Sequence, residues 1–158
     1  MATITKYTDI ITLARAKVYL RVDDTLTEDD TEVESMINGA FLFMERYTNH
    51  IFKPKSFTKY SDNYSSGCKV VVVYDYPIVS TVPVDATVLR KYNSKTIYEV
   101  AEITYNAGYD DTDKIPDDFI QAALQIIKVW YFEAEKQVNE TLIPLSVRQV
   151  LDTYRRFV

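Results

Sequence analysis

The stretch from Pro116 to Tyr131 constrains this chain more than any other. Phe119, Ala123, Ile126 and Trp130 recur at helical spacing, and Ile120, Leu124, Ile127 and Tyr131 form a second stripe beside them. A helix apolar over so wide an arc is more than one domain face needs. Either it sits centrally in its own fold, or a neighbouring subunit covers part of it. Pro116 suits the first helical position, where its missing N–H has no helical partner to lose, and Asp117 and Asp118 complement the positive end of the helix.

Helical spacing also marks the beginning and the end of the chain. Asp9 is placed to cap a helix over residues 10–20, with Ile10, Leu13, Ala14 and Val18 on one face. The stretch 23–26 breaks it. Thr27 then stands before Glu28, Asp29 and Asp30, a capping-box-like start with acids in the first turn. Val33, Ile37, Ala40, Phe41, Met44 and Tyr47 predict one long stripe ending near Thr48 and Asn49. At the other end, Ser146 with Gln149 three residues on reads as a capping box, and Val147, Val150, Leu151 and Tyr154 form one apolar face. Arg155 and Arg156 close that helix, where cations are favourable. The helix follows a break at Leu142-Ile143-Pro144, so its apolar face reads either as an ordinary terminal helix or as an exposed amphipathic anchor.

Between these ends, over about residues 56–106, the period changes. Residues 69–74 form a short buried-strand pattern that Pro77 interrupts, so any strand there lies at an edge or restarts after the proline. Residues 87–92 and 96–105 are further strands, with Asn93, Ser94 and Lys95 as the hairpin turn between them. Residues 60–67, rich in Ser, Tyr and Asn, read as a loop. The expectation is a single α+β domain over residues 1–158: a small four-helix bundle from residues 9–49 and 115–158, with a β-strand insertion between helices two and three.

Composition removes several function classes. Only 3 glycines are present, which leaves little for phosphate-cradling loops. The formal net charge of −5 argues against a protein that coats DNA through clustered cations. The single Cys68 cannot form an internal disulfide and fits a reducing cytoplasm. His50 is the only histidine; it has no second histidine or neighbouring cysteine to work with and reads as a surface or helix-end residue. No apolar run approaches the roughly 20 residues of a membrane span. The acids at 23–34 and 110–113 lack the glycine of a calcium loop. No catalytic, cofactor-binding or metal site is expected, and no enzyme activity.

Two acidic runs remain. Residues 22–34 hold seven acids and no base, and residues 109–118 hold five acids and one lysine. Such runs are solvated helix starts and turns, or they line a passage along which a polyanion must slide without sticking.

The order of these segments resembles the head–tail connector (adaptor) proteins of tailed bacteriophages. A strand ends in Tyr105-Asn-Ala-Gly-Tyr109; a helix opens with Pro116-Asp-Asp118 and carries Gln121-Ala-Ala-Leu124; a short terminal helix opens with Pro144-Leu-Ser-Val147 and closes in Tyr154-Arg-Arg-Phe157. At the other end, Leu13 to Val22, the acids that follow, Ile37-Asn-Gly-Ala-Phe41 and Glu45-Arg-Tyr-Thr48 are similar to the opening of that family. The chain departs from it where Tyr131 is followed by Phe132 and Glu133 rather than arginine, and in a longer, strand-rich middle.

The resemblance implies a virion structural protein made in the bacterial cytoplasm and located at the capsid–tail junction. It implies a homo-oligomeric ring of about twelve subunits, bound to the portal protein above and to a tail or head-closure protein below, through which viral DNA passes without specific contact. On this view Arg148, Tyr154, Arg155, Arg156 and Phe157 face the portal, and Asp110, Asp111 and Asp113 face the DNA channel. A head-closure or tail-terminator ring and a DNA-packaging regulator are the alternatives. The regulator would need a basic reading helix, and residues 148–156 offer only three arginines beside one acid.

Overall fold

The computed structural model describes residues 4–63, 69–82, 87–91, 96–133 and 143–156. They form an α+β fold. The helices are α1 (Leu13–Leu20), α2 (Asp30–Thr48), α3 (Asp117–Glu133) and α4 (Leu145–Tyr154). Strands β1 (Lys55–Tyr60), β2 (Asp62–Asn63), β3 (Lys69–Val73), β4 (Ile78–Val82), β5 (Thr87–Lys91), β6 (Thr96–Glu99) and β7 (Glu102–Ala107) lie between α2 and α3 in the chain.

The helical core is built on α2 and α3. Val33, Ile37, Ala40, Phe41 and Met44 of α2 are buried as the stripe predicts, and both stripes of α3 are buried over Phe119 to Ile127. The wide apolar arc of α3 is therefore satisfied within this chain: α2 covers one side, α1 and α4 the others. Only its far end stays open, where Phe132 is exposed. Asn49 ends α2 in the left-handed conformation, with φ of 58°, which a short polar side chain tolerates.

The first helix differs from its sequence pattern. Asp9 caps a short 3-10 turn, Tyr7–Asp9, by accepting from the backbone N–H groups of Thr5 and Lys6, both at 2.8 Å. Ile10 and Ile11 are buried, which pins this stretch to the core, and α1 starts only after Thr12, whose Oγ1 accepts from Arg15 N at 3.2 Å. The inward face is Ala16, Lys17 and Leu20; Val18 is 68% exposed and Ala14 is also outside. In α2, Thr27 is not the cap. The helix begins three residues later, after Asp29. Tertiary partners hold that start: Asp29 accepts from the Tyr131 hydroxyl at 2.7 Å, and Asp30 pairs with Lys17.

The strands make two sheets. One has the order β1-β7-β4, the other β2-β3-β6-β5, with every neighbouring pair antiparallel. The single strand expected over residues 96–105 is two strands in different sheets, broken at Val100 and Ala101. Of residues 60–67, expected in a loop, Tyr60, Asp62 and Asn63 pair as strand, and 64–67 lie outside the described residues. Pro77 does restart the chain as β4, at a sheet edge. The hairpin turn at Asn93, Ser94 and Lys95 lies outside the described residues, although β5 and β6 pair with Lys91 opposite Thr96. The sheets share a smaller core of Val71, Val73, Tyr98, Ile103, Tyr105 and Ala107.

Candidate interaction surfaces

The terminal helix is not a free anchor. Val147 and Leu151 are 1% and 0% exposed, seated against α2 and α3. Ser146 does not cap it: the cap position is Pro144, and the Ser146 hydroxyl reaches Gln125 Oε1 at 3.4 Å. Tyr154 points back into the domain, its hydroxyl donating to Asp118 Oδ2 at 2.7 Å and its ring 4.6 Å from that of Phe119. Arg156 is strapped onto the end of α2: its N–H donates to Thr48 O at 3.0 Å, and its carbonyl accepts from Asn49 Nδ2 at 2.6 Å. Arg155 is exposed, 5.2 Å from the Tyr47 ring centroid, and Arg148 is half-buried. Phe157 lies outside the described residues. Of the residues expected to face a portal, Arg155 is exposed and Arg148 half-buried, while Tyr154 and Arg156 make bonds within the domain.

Asp110, Asp111 and Asp113 sit together in the turn between β7 and α3. Asp111 is buried and works locally, accepting from Asp113 N at 3.2 Å to open the 3-10 turn Thr112–Lys114. Asp110 pairs with Lys114 at 2.9 Å, and this partner holds its carboxyl below the usual carboxylate range. Asp113 is exposed. Acids of the earlier run are also in use: Asp23 accepts from Thr25 N and Oγ1 at 2.9 and 2.7 Å, and Asp30 neutralises buried Lys17. Lys17 also donates to Leu26 O at 2.6 Å. Sequence reasoning missed this lysine, though its place four residues from Leu13 on the face shared with Leu20 was the available signal.

His50 is not at the surface. It follows α2 directly and is 5% exposed, its ring 5.0 Å from that of Tyr76 and 5.3 Å from that of Phe119. Burial, and then the charge of Arg156, push its pKa down to about 4. The neutral imidazole serves here as a flat core side chain. A cleft of about 390 Å³ opens beside it, lined by residues that include Glu45, Lys59 and Asp75. Glu45 accepts from Phe52 N at 2.9 Å, and Asp75 accepts from both Lys59 and the Tyr105 hydroxyl. Glu45 thus ties α2 to the segment entering β1, and Asp75 ties the end of β3 to β1 and β7. Among the described residues no group of three His, Cys, Asp or Glu side chains is placed to hold a metal ion, and no helix is long and apolar enough to cross a membrane.

A different kind of surface lies at β4. This strand forms one edge of its sheet and its sequence, Ile-Val-Ser-Thr-Val, carries no charge, with Val79 and Val82 exposed. A groove of about 420 Å³ runs beside it, with the second sheet as its other wall. Pro77 was the sequence signal for an edge here, since a proline cannot donate to a central ladder.

No family model matches the chain, and no curated relative matches it in sequence. Solved structures are similar in fold along the whole length. A chain of the virion of the native gene transfer agent (GTA) particle superposes with a TM-score of 0.69 at 14% identity, covering 99% of this chain and 95% of that one. A chain from the neck of the empty GTA particle, computed with C6 symmetry, gives 0.67 at 15% identity with the same coverage. A chain from the neck of the native particle, computed with C12 symmetry, gives 0.65 at 14%. At this identity the likeness establishes a shared fold.

Proposed function

We propose that this chain is a structural protein of the neck of a phage-like particle, a head–tail connector whose ring joins portal to tail and lengthens the DNA channel. One observation carries the reading: the fold agrees over the whole chain with chains of GTA virion and neck structures. A fold alone hosts many functions. Here it coincides with a connector-like order of segments read independently from the sequence, and that agreement supports the role. The C12 symmetry of one such neck supports a ring of twelve copies.

In this reading the chain does no chemistry and carries no cofactor. It assembles in the bacterial cytoplasm and works in the virion. Its ring forms on the portal, which orients the subunits and lowers the entropic cost of closure. A tail or head-closure protein docks below. Arg148 of α4 and Arg155 just after it face the portal. Asp110 and Asp113, repeated around the ring, form an acidic band that repels passing DNA phosphates.

Electron microscopy of the purified chain, alone and mixed with the portal protein of the same particle, tests the role. Rings seated on the portal are expected. A chain that stays dispersed with portal present, and is missing from purified particles, overturns it.

A further inference from the structure

Two surfaces of this chain carry opposite charge and make no bond with each other. One is the link between α1 and α2. Buried Lys17 holds its backbone from inside, donating to Leu26 O at 2.6 Å while it pairs with Asp30. Asp23 tightens the turn by accepting from Thr25 N and Oγ1. The link is thus pinned by its backbone, and Asp24, Leu26 and Glu28 are left exposed, Leu26 by 55%. The carboxylates of Asp24 and Glu28 have no ion pair or hydrogen bond among the described residues.

The other surface is a cleft of about 520 Å³ bounded by the 3-10 turn, α2 and the start of β1. Its lining includes Lys6, Tyr7, Glu34, Leu42, Lys53 and Lys55. Three lysines meet one carboxylate there, so the cleft is positive on a chain whose net charge is −5. Lys6 and Lys55 are exposed; Lys53 is half-buried, its Nζ 5.0 Å from the Tyr7 ring centroid. Lys6 and Lys53 form no ion pair among the described residues. Lys55 has a long contact, 3.8 Å, to Glu45, which already accepts from Phe52 N. Leu42 is 42% exposed.

We propose that the acidic link of one copy seats in the lysine cleft of the next, with Asp24 and Glu28 against Lys6, Lys53 and Lys55, and Leu26 against Leu42. Charge selects this occupant: unpaired carboxylates and unpaired ammonium groups stand on the same chain, each set with one exposed leucine. Such complementarity fixes which patches meet and in what orientation. The pinned link loses little freedom on docking. Link and cleft are different surfaces, so each docked copy still offers one of each, and copies add head to tail until a ring closes. Exposed ion pairs contribute up to about 1 kcal/mol each. A single contact is therefore weak, which suits a ring that closes on a template. DNA phosphate is the competing anion, and Glu34 within the cleft and the net negative charge disfavour it. That the contact closes a ring rests on the neck reading; the contact between copies does not.

The test concentrates the full chain at low salt, half of it 15N-labelled, and treats it with a carbodiimide, which joins ammonium and carboxylate groups in direct contact. Mixed-isotope peptides linking Lys6, Lys53 or Lys55 to Asp24 or Glu28 are expected. They should fade in 1 M salt, where the screening length falls to about 3 Å. K6E/K53E and D24K/E28K should each weaken self-association about tenfold with unchanged melting temperature. Mixing the two variants, or combining all four changes in one chain, should restore it. Absence of these links, links only within one isotope, or failure of both restorations overturns the proposal. A product that stops at two copies overturns the head-to-tail arrangement. Loss of binding to a DNA duplex by K6E/K53E, with links between copies unchanged, overturns the choice of occupant. Particles that lack the chain overturn the neck reading and leave the crosslinks to decide the contact.

Discussion

The guanidinium of Arg156 lies 4.1 Å from the centroid of the Tyr76 ring, and through this contact the end of the chain is fastened to the segment that leads into β4. Replacing Arg156 with alanine is expected to lower stability by about 1–2 kcal/mol, the range for a partly desolvated cation over an aromatic face. Lysine should recover part of this, because it keeps the charge without the planar stack. Chemical denaturation of the three proteins measures the difference.

The terminal helix is part of the core, so its loss should be felt throughout. Leu151 is fully buried, and Leu151→Ala is expected to cost about 2–5 kcal/mol. A chain ending before Leu145 should lose cooperative unfolding rather than survive as a folded domain lacking an anchor. Thermal melts followed by near-ultraviolet circular dichroism separate these outcomes.

His50 makes stability depend on mild acid. Its folded pKa, about 4, lies below its ordinary value of 6.5, so between these values the unfolded chain binds the proton more readily. Stability should be full above pH 6.5, fall as pH drops towards 4, and change no further through this group below that. The total is about 3 kcal/mol. His50→Phe should flatten this part of the pH profile, as read from denaturation midpoints across the window.

Gly108 links β7 to the turn before α3 at a φ of 120°, and a Cβ there would stand 2.7 Å from the Lys53 carbonyl oxygen. Gly108→Ala should therefore cost about 3 kcal/mol from backbone strain alone. Gly39 is less demanding: its added Cβ would meet Trp130 at 3.0 Å, a side chain on the open end of α3 that can yield. Comparing the two melting temperatures checks this ranking.

In the acidic turn, only Asp111 should matter to folding. Asp111→Ala is expected to cost about 1 kcal/mol through loss of its cap bond to Asp113 N. Asp110→Asn removes an exposed pair with Lys114 and should leave the melting temperature unchanged. If Asp110 and Asp113 face a channel, their exchange for asparagine should instead change DNA retention in assembled particles, measured as DNA released on standing.

By itself the sequence determined the helices with long apolar stripes, the change to strand period in the middle, and the return of the chain at Pro77. Val33 to Met44 and Phe119 to Ile127 were legible because a helix written across several turns repeats its buried face often enough to be read. Helix starts were less legible. Asp9, Thr27 and Ser146 all have capping chemistry, yet α1, α2 and α4 begin elsewhere, because buried Ile11, the Asp29–Tyr131 bond and the seat of Val147 against the other helices outweigh a single local hydrogen bond. Only tertiary structure decided that Lys17 and His50 are inside, that residues 96–105 divide between two sheets, and that the apolar face of α4 is already occupied. Each of these depends on what lies opposite a residue in space, and local periodicity records only which residues share a face.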